Sequence, residues 1–123
     1  MAQMTQSLED YLETIYVLVQ EERGACVRDV ARMLDVKMPS VVKAIHELKR
    51  LGLATQEPYA AIELTAKGRR VARLVLNRHT LLRKFLMKLG VGKKTADKDA
   101  CLMEHILSAE TLDKIRIYTE KHE

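Results

Sequence analysis

Residues 27–52 read VRDVARMLDVKMPSVVKAIHELKRLG, and the fold follows from where the apolar positions fall in that stretch. Val30, Ala31 and Leu34 share one face of a short helix, because residues three and four apart are neighbours on a helical surface. The break from Asp35 to Met38 leads to Pro39, whose fixed φ suits the first turn of a helix. A second short helix, Pro39 to Leu51, buries Val41 or Val42 together with Ile45 and Leu48, and Gly52 stops it. Two short helices joined by a break of about four residues form a helix-turn-helix.

Upstream, Ser7 followed by Asp10 resembles a capping box, and Leu8, Leu12, Ile15, Tyr16 and Val19 recur at helical spacing. A first helix from Leu8 to Glu22 is expected, ended by Gly24. Downstream, Leu53 to Glu57 and Ala61 to Leu64 flank Pro58 and Tyr59 and predict a small hairpin, the wing of a winged helix-turn-helix. Thr65 is an N-cap for a long helix from Ala66 to about Leu89, with Val71, Leu74, Val75, Leu82 and Leu86 or Leu89 in phase. Gly90 and Gly92 punctuate its end; a helix from about Ala96 to Leu107 follows, and Ser108 caps a last one. The expected class is mainly α: a winged helix-turn-helix domain over residues 1–65, then an all-helical domain over 66–123 linked to it by the long helix.

The composition agrees. Of 123 residues, 47% are hydrophobic, yet only five are aromatic and none is tryptophan, a balance that suits helices packed through Leu, Ile, Val, Ala and Met. No apolar run approaches the ~20 residues of a membrane span, and Met1 to Glu9 lacks the features of a signal peptide. A cytoplasmic protein with no membrane association is expected, with Cys26 and Cys101 as thiols or ligands rather than a disulfide.

Charge is unevenly placed. Residues 67–94 hold ten Lys or Arg and no acid, whereas residues 95–123 hold four against seven acids, a distribution that fits either an anionic partner met by the middle of the chain or a solvated basic face. The outer face of the second helix-turn-helix element carries Ser40, Lys43 and Arg50 behind Pro39, donors of the kind that reach base edges and phosphates in a major groove. Arg28, Lys37 and Lys67 are placed as phosphate anchors. Double-stranded DNA is the expected partner.

A second group of residues has the chemistry of metal ligands. Asp10 and Glu13 lie three apart on the first helix, and Cys101, Glu104 and His105 at i, i+3 and i+4 on the penultimate one. One thiolate, one imidazole and carboxylates suit Fe(II), Mn(II), Co(II) or Zn(II) better than Ca(II) or Mg(II). Each residue also has a plain reading: Asp10 caps its helix, Glu13 pairs with a basic neighbour, and Cys101 is a small core hydrophobe. His79 is similarly open, since a histidine within a basic helix is more often an exposed or core-satisfied side chain than a ligand.

Several ordered motifs, spread over nearly the whole chain, resemble the family of iron- and manganese-dependent transcriptional repressors that includes the diphtheria toxin repressor and the manganese transport regulator. They are residues 9–16 (EDYLETIY), the helix-turn-helix through Gly52-Leu53, Leu64-Thr65-Ala66-Lys67-Gly68, Arg78-His79, Phe85-Leu86, Leu89-Gly90-Val91, Asp99-Ala100-Cys101, Glu104-His105 and Leu107-Ser108. The resemblance implies a homodimer, dimerised through the helical domain, in which metal binds between the first helix, the long fourth helix and the fifth and orients the DNA-binding module. The implied target is a palindromic operator before metal-uptake genes, with Mn(II) or Fe(II) as corepressor, Zn(II) or Co(II) able to bind in vitro, and no small-molecule substrate. By position the ligands are Asp10, Glu13, His79, Cys101, Glu104 and His105, and Leu81, Leu102, Ile106, Leu112 and Ile115 are candidates for the dimer core.

The ligand set mixes two branches: Asp10 and Glu13 match the manganese type, and Cys101 the iron type. Arg83 stands where the family has a glutamate, and Asp97 where the iron type has a further histidine, so one metal is expected rather than two. Arg83 is expected to turn to solvent or pair with an acid such as Asp10 or Glu104. Tyr59-Ala60-Ala61-Ile62 departs from the usual wing tip, and an end at Glu123 leaves out the SH3-like third domain of longer members. The competing readings are a metal-independent winged-helix regulator with a degenerate site and a small metalloenzyme around Cys101, Glu104 and His105.

Overall fold

Thr5, not Ser7, starts the first helix. Its Oγ1 accepts from the Leu8 backbone N–H at 3.1 Å, so α1 runs Gln6–Gln20 and Ser7 lies exposed inside its first turn. The Ser7–Asp10 capping box does not form, because the earlier hydroxyl already satisfies an orphan N–H. The computed structural model describes residues 4–21, 24–58 and 60–122; the expected end of the first helix at Glu22 and the wing residue Tyr59 lie outside them.

The chain divides into two compact units, Met1–Arg73 and Leu74–Glu123. In the first, α1 is followed by α2 (Val27–Leu34) and α3 (Met38–Arg50), then by β1 (Ala54–Thr55) and β2 (Glu63–Leu64). Asp35 ends α2 in the left-handed conformation, which a short polar side chain tolerates, while the Val36 N–H bonds back to the Ala31 carbonyl at 3.0 Å. Gly52 ends α3 in the same way at φ +75°, with the Leu53 N–H on the Leu48 carbonyl. The strands pair antiparallel, Ala54 with Leu64 and Thr55 with Glu63, and an isolated bridge joins Ala25 to Ile62.

The core of this unit is drawn from every element. Leu12 and Ile15 of α1, Val30 of α2, Val41 and Leu48 of α3, and Ile62 beside the hairpin are all fully buried. Burying each such side chain stabilises the fold by about 1.5–3 kcal/mol. Val41 is the valine that packs inward; Val42 is exposed.

The long helix α4 (Ala66–Lys88) supplies its first turns to this unit. Thr65 caps it, accepting from the Gly68 N–H at 3.0 Å while its own hydroxyl donates to the Gly52 carbonyl at 2.7 Å. That double use of one hydroxyl brings the start of α4 against the end of α3. The approach is close enough that only glycine fits at 68: a Cβ there would lie 2.0 Å from the Leu53 carbonyl oxygen.

The second unit takes the remainder of α4, then α5 (Lys93–Met103) and α6 (Ala109–Lys121), the latter capped by Ser108. Val75 and Leu82 of α4, Ala96 and Ala100 of α5, and Thr119 of α6 are buried. Leu74, expected in the apolar phase of α4, is exposed. The expected helix from Ala96 to Leu107 starts earlier and stops at Met103, after which Glu104, His105 and Ile106 form tight turns. The His105 N–H reaches the Leu102 carbonyl and the Ile106 N–H that of Met103, three residues back instead of four. No described helix is long and apolar enough to cross a membrane.

Candidate metal centre and nucleic-acid interface

Because α5 ends at Met103, Glu104 is its C-cap and His105 follows in the turn. The turn directs the Glu104 side chain inward, where it is completely buried. Glu104 Oε2 lies 3.3 Å from Nδ1 of His79 on α4, and Oε1 lies 3.3 Å from Nε2 of His105. The His105 side chain is itself almost wholly buried and that of His79 mostly so. Cys101 lies three residues before Glu104 on α5, half-buried. Burying a carboxylate is costly unless positive charge or a metal offsets it, and the two oxygens of this one each lie against an imidazole nitrogen. An acid, two imidazoles and a thiol also fit a divalent transition metal. The helix expected to present Cys101, Glu104 and His105 on one face is thus replaced by a helix end and a turn.

Asp10 and Glu13 belong to the first unit, half-buried and one turn apart on α1. α1 packs against both α2 and α3.

Arg83 pairs with neither acid named from sequence. Its Nη1 is 3.6 Å from Asp97 Oδ1, and the same oxygen lies 3.1 Å from His79 Nε2. Asp97 was legible only as a departure from family pattern; its partnership with His79 had no local signal, since the two are on different helices and eighteen residues apart.

On α3, Pro39, Ser40, Lys43 and Arg50 are all exposed, as are Arg28 on α2 and Lys37 at the N-cap of α3. Arg50 is engaged by its own helix: its guanidinium donates to both oxygens of Glu47, with Nε at 3.0 Å from Oε2. That bond, ahead of the charge attraction, holds the Glu47 carboxyl below its usual range and the Arg50 guanidinium above its own. Lys67 donates to the Leu51 carbonyl at 3.4 Å, a cation at a helix C-terminus where the helix dipole favours it. In the second unit, Leu102 and Ile106, expected in a dimer core, are strongly exposed.

An exposed basic recognition helix with a small wing, followed by a helical unit holding a buried carboxylate–imidazole cluster, defines a winged-helix DNA-binding regulator with a ligand-binding helical domain. The profile of the iron dependent repressor N-terminal DNA binding domain matches residues 3–62, and that of the iron dependent repressor metal binding and dimerisation domain matches residues 65–123. The chain belongs to the iron-dependent repressor family and is a metal-dependent, DNA-binding transcriptional regulator, not an enzyme. It is 41% identical over 120 residues to an uncharacterised HTH-type transcriptional regulator of Methanocaldococcus jannaschii, covering 96% of each chain. It is 39% identical over 115 residues to the transcriptional regulator MntR of Escherichia coli (strain CFT073), covering 94% of this chain and 74% of that one. A solved manganese-dependent transcriptional repressor in complex with manganese aligns with a TM-score of 0.81 at 28% identity, over 91% of this chain; this chain spans about half (52%) of that one.

Proposed function

We propose that the chain acts as a homodimeric repressor of metal-uptake genes, with a single Mn(II) or Fe(II) per chain as corepressor. The observation that carries this reading is Glu104, buried with His79 and His105 nitrogens 3.3 Å from its two oxygens. His79, Cys101, Glu104 and His105 are the ligands contributed by the second unit, and Asp10 and Glu13 those contributed by α1. A divalent cation held by these residues would supply the positive charge that offsets their carboxylates. Since α1 packs directly on α2 and α3, restraint of Asp10 and Glu13 is restraint of the recognition helix. Asp97 is shared by His79 and Arg83, which supports one cation instead of two. The manganese in the solved repressor complex agrees with the donor set, and Zn(II) or Co(II) would also bind in vitro.

Ser40, Lys43 and Arg50, with Pro39 at the start of α3, face base edges and phosphates, while Arg28, Lys37 and Lys67 hold the backbone. Leu102 and Ile106 belong to the dimer face, and two-fold symmetry then calls for a palindromic operator. A corepressor works only through better affinity for the DNA-competent arrangement. The test is anaerobic titration of Mn(II) and of Fe(II) into purified protein with a labelled duplex selected from random DNA in the presence of metal. Tighter DNA binding with either ion is expected. Unchanged affinity with both would overturn the corepressor role and leave a metal-independent regulator.

A further inference from the structure

We infer that Asp97 is a positioning residue that sets which nitrogen of His79 carries the proton, and so which nitrogen faces Glu104 as a lone pair. The inference rests on the reading above that His79 holds a cation. His79 is flanked by two carboxylates, Asp97 Oδ1 at 3.1 Å from Nε2 and Glu104 Oε2 at 3.3 Å from Nδ1. A neutral imidazole has one N–H to give, and an ionised carboxylate can only accept. The two acids therefore compete for a single proton.

The contacts favour Asp97. Its distance to Nε2 meets hydrogen-bond geometry, whereas the Nδ1–Glu104 approach does not: Nδ1 is buried and makes no hydrogen bond. With the proton on Nε2, donating to Asp97, the Nδ1 lone pair is left toward Glu104, the arrangement a ligand pair needs. A second carboxylate holding the far nitrogen of a ligating histidine is the general means by which proteins fix its tautomer and ring orientation. Arg83, 3.6 Å from the same Asp97 oxygen, offsets that carboxylate's charge. Asp97 therefore serves His79 without becoming a ligand itself. With Asp97 and Arg83 both partly exposed, the pair adds little to stability. Its consequence is directional.

Removing Asp97 hands the proton to the Glu104 side, which blocks Nδ1. The first readout needs no metal: long-range proton–nitrogen NMR of histidine-labelled, metal-free protein at a pH where the ring is neutral, with His79 assigned by its loss in His79→Gln. The wild type is expected to carry the proton on Nε2 and Asp97→Ala on Nδ1. Asp97→Asn, whose amide oxygen still accepts, is expected to keep it on Nε2. The second readout is Mn(II) affinity measured directly on the protein without DNA, expected to fall roughly tenfold to a hundredfold in Asp97→Ala, the usual effect of losing such a partner. The same tautomer in wild type and Asp97→Ala, or Mn(II) affinity in Asp97→Ala within twofold of wild type, overturns the inference. Should the wild type bind no Mn(II), the metal reading fails by itself and the tautomer measurement alone decides the role of Asp97.

Discussion

Replacing Gly68 by alanine sets two well-characterised effects against each other, and the structure says which wins. Gly68 lies in the first turn of α4, where alanine is the better helix former by about 1 kcal/mol. Propensity alone predicts a more stable protein. A Cβ at this position, however, would stand 2.0 Å from the Leu53 carbonyl oxygen and 2.9 Å from its carbonyl carbon. Ordinary contact begins more than 1 Å farther out, and the obstacle is backbone, so no rotamer change relieves it. The carbonyl cannot retreat freely either, because it accepts the Thr65 N–H at 3.1 Å. Overpacking of this kind costs about 1–3 kcal/mol, and more when the main chain must move; the upper end applies. The net expectation for Gly68→Ala is a loss of about 2 kcal/mol or more, read as a lower urea midpoint at unchanged slope in metal-free protein. Because the strain falls at the junction of α3, β1 and α4, DNA binding should weaken in parallel. A variant as stable as the wild type, or more so, would refute the steric argument.

Three further perturbations test the contacts of Thr5, Arg50 and Arg83. Thr5→Ala should cost about 1 kcal/mol through loss of the cap on the Leu8 N–H, while Ser7→Ala should fall within about 0.5 kcal/mol of wild type in the same urea titration; equal effects would remove Thr5 as the cap. Glu47→Gln frees the Arg50 guanidinium, so DNA affinity should rise several-fold and the salt slope steepen by roughly one phosphate contact, about 0.9; a shallower slope would exclude Arg50 from the interface. The sign for pH follows from the lowered Glu47 carboxyl: the pair is intact above the ordinary value of 4.5 and is lost only as pH falls through the depressed one, so the Glu47→Gln difference should hold from pH 8 to 5. On the one-cation reading, Arg83→Glu puts an acid where a guanidinium now offsets Asp97 and should raise bound Mn(II) from one per chain to two by elemental analysis; a ratio still at one would show that Arg83 is not what excludes a second ion.

The helix-turn-helix was readable because its signals are local: the helical spacing of Val30, Ala31 and Leu34, Pro39 in the first turn of α3 and Gly52 after its last all act within a few residues. Phase was less decisive. Periodicity placed Leu74 with Val75, and only the packed structure shows one exposed and the other buried. The end of α5 carried no glycine or proline to announce it, so the sequence continued a helix through Glu104 and His105 that the structure replaces with turns. Both ligand-type residues were nevertheless named, since i, i+3 and i+4 neighbours stay close at a helix end. The Arg83–Asp97–His79 contacts are tertiary, joining α4 to α5 across the Gly90–Gly92 connection, and no spacing rule reaches that far.

The tight turns after Met103 also offer a way to watch the protein work. The chain has no tryptophan, so ion binding has no strong fluorescent reporter. The amides of His105 and Ile106 are held by short-range bonds of 3.4 and 3.1 Å at a helix end, the kind of backbone that opens on its own without global unfolding. On the one-cation reading, their hydrogen–deuterium exchange should slow sharply on adding Mn(II), while the amides of Leu12 and Leu48 in the first core stay at their already slow rates. Two backbone positions would then report occupancy residue by residue, without a label or an operator.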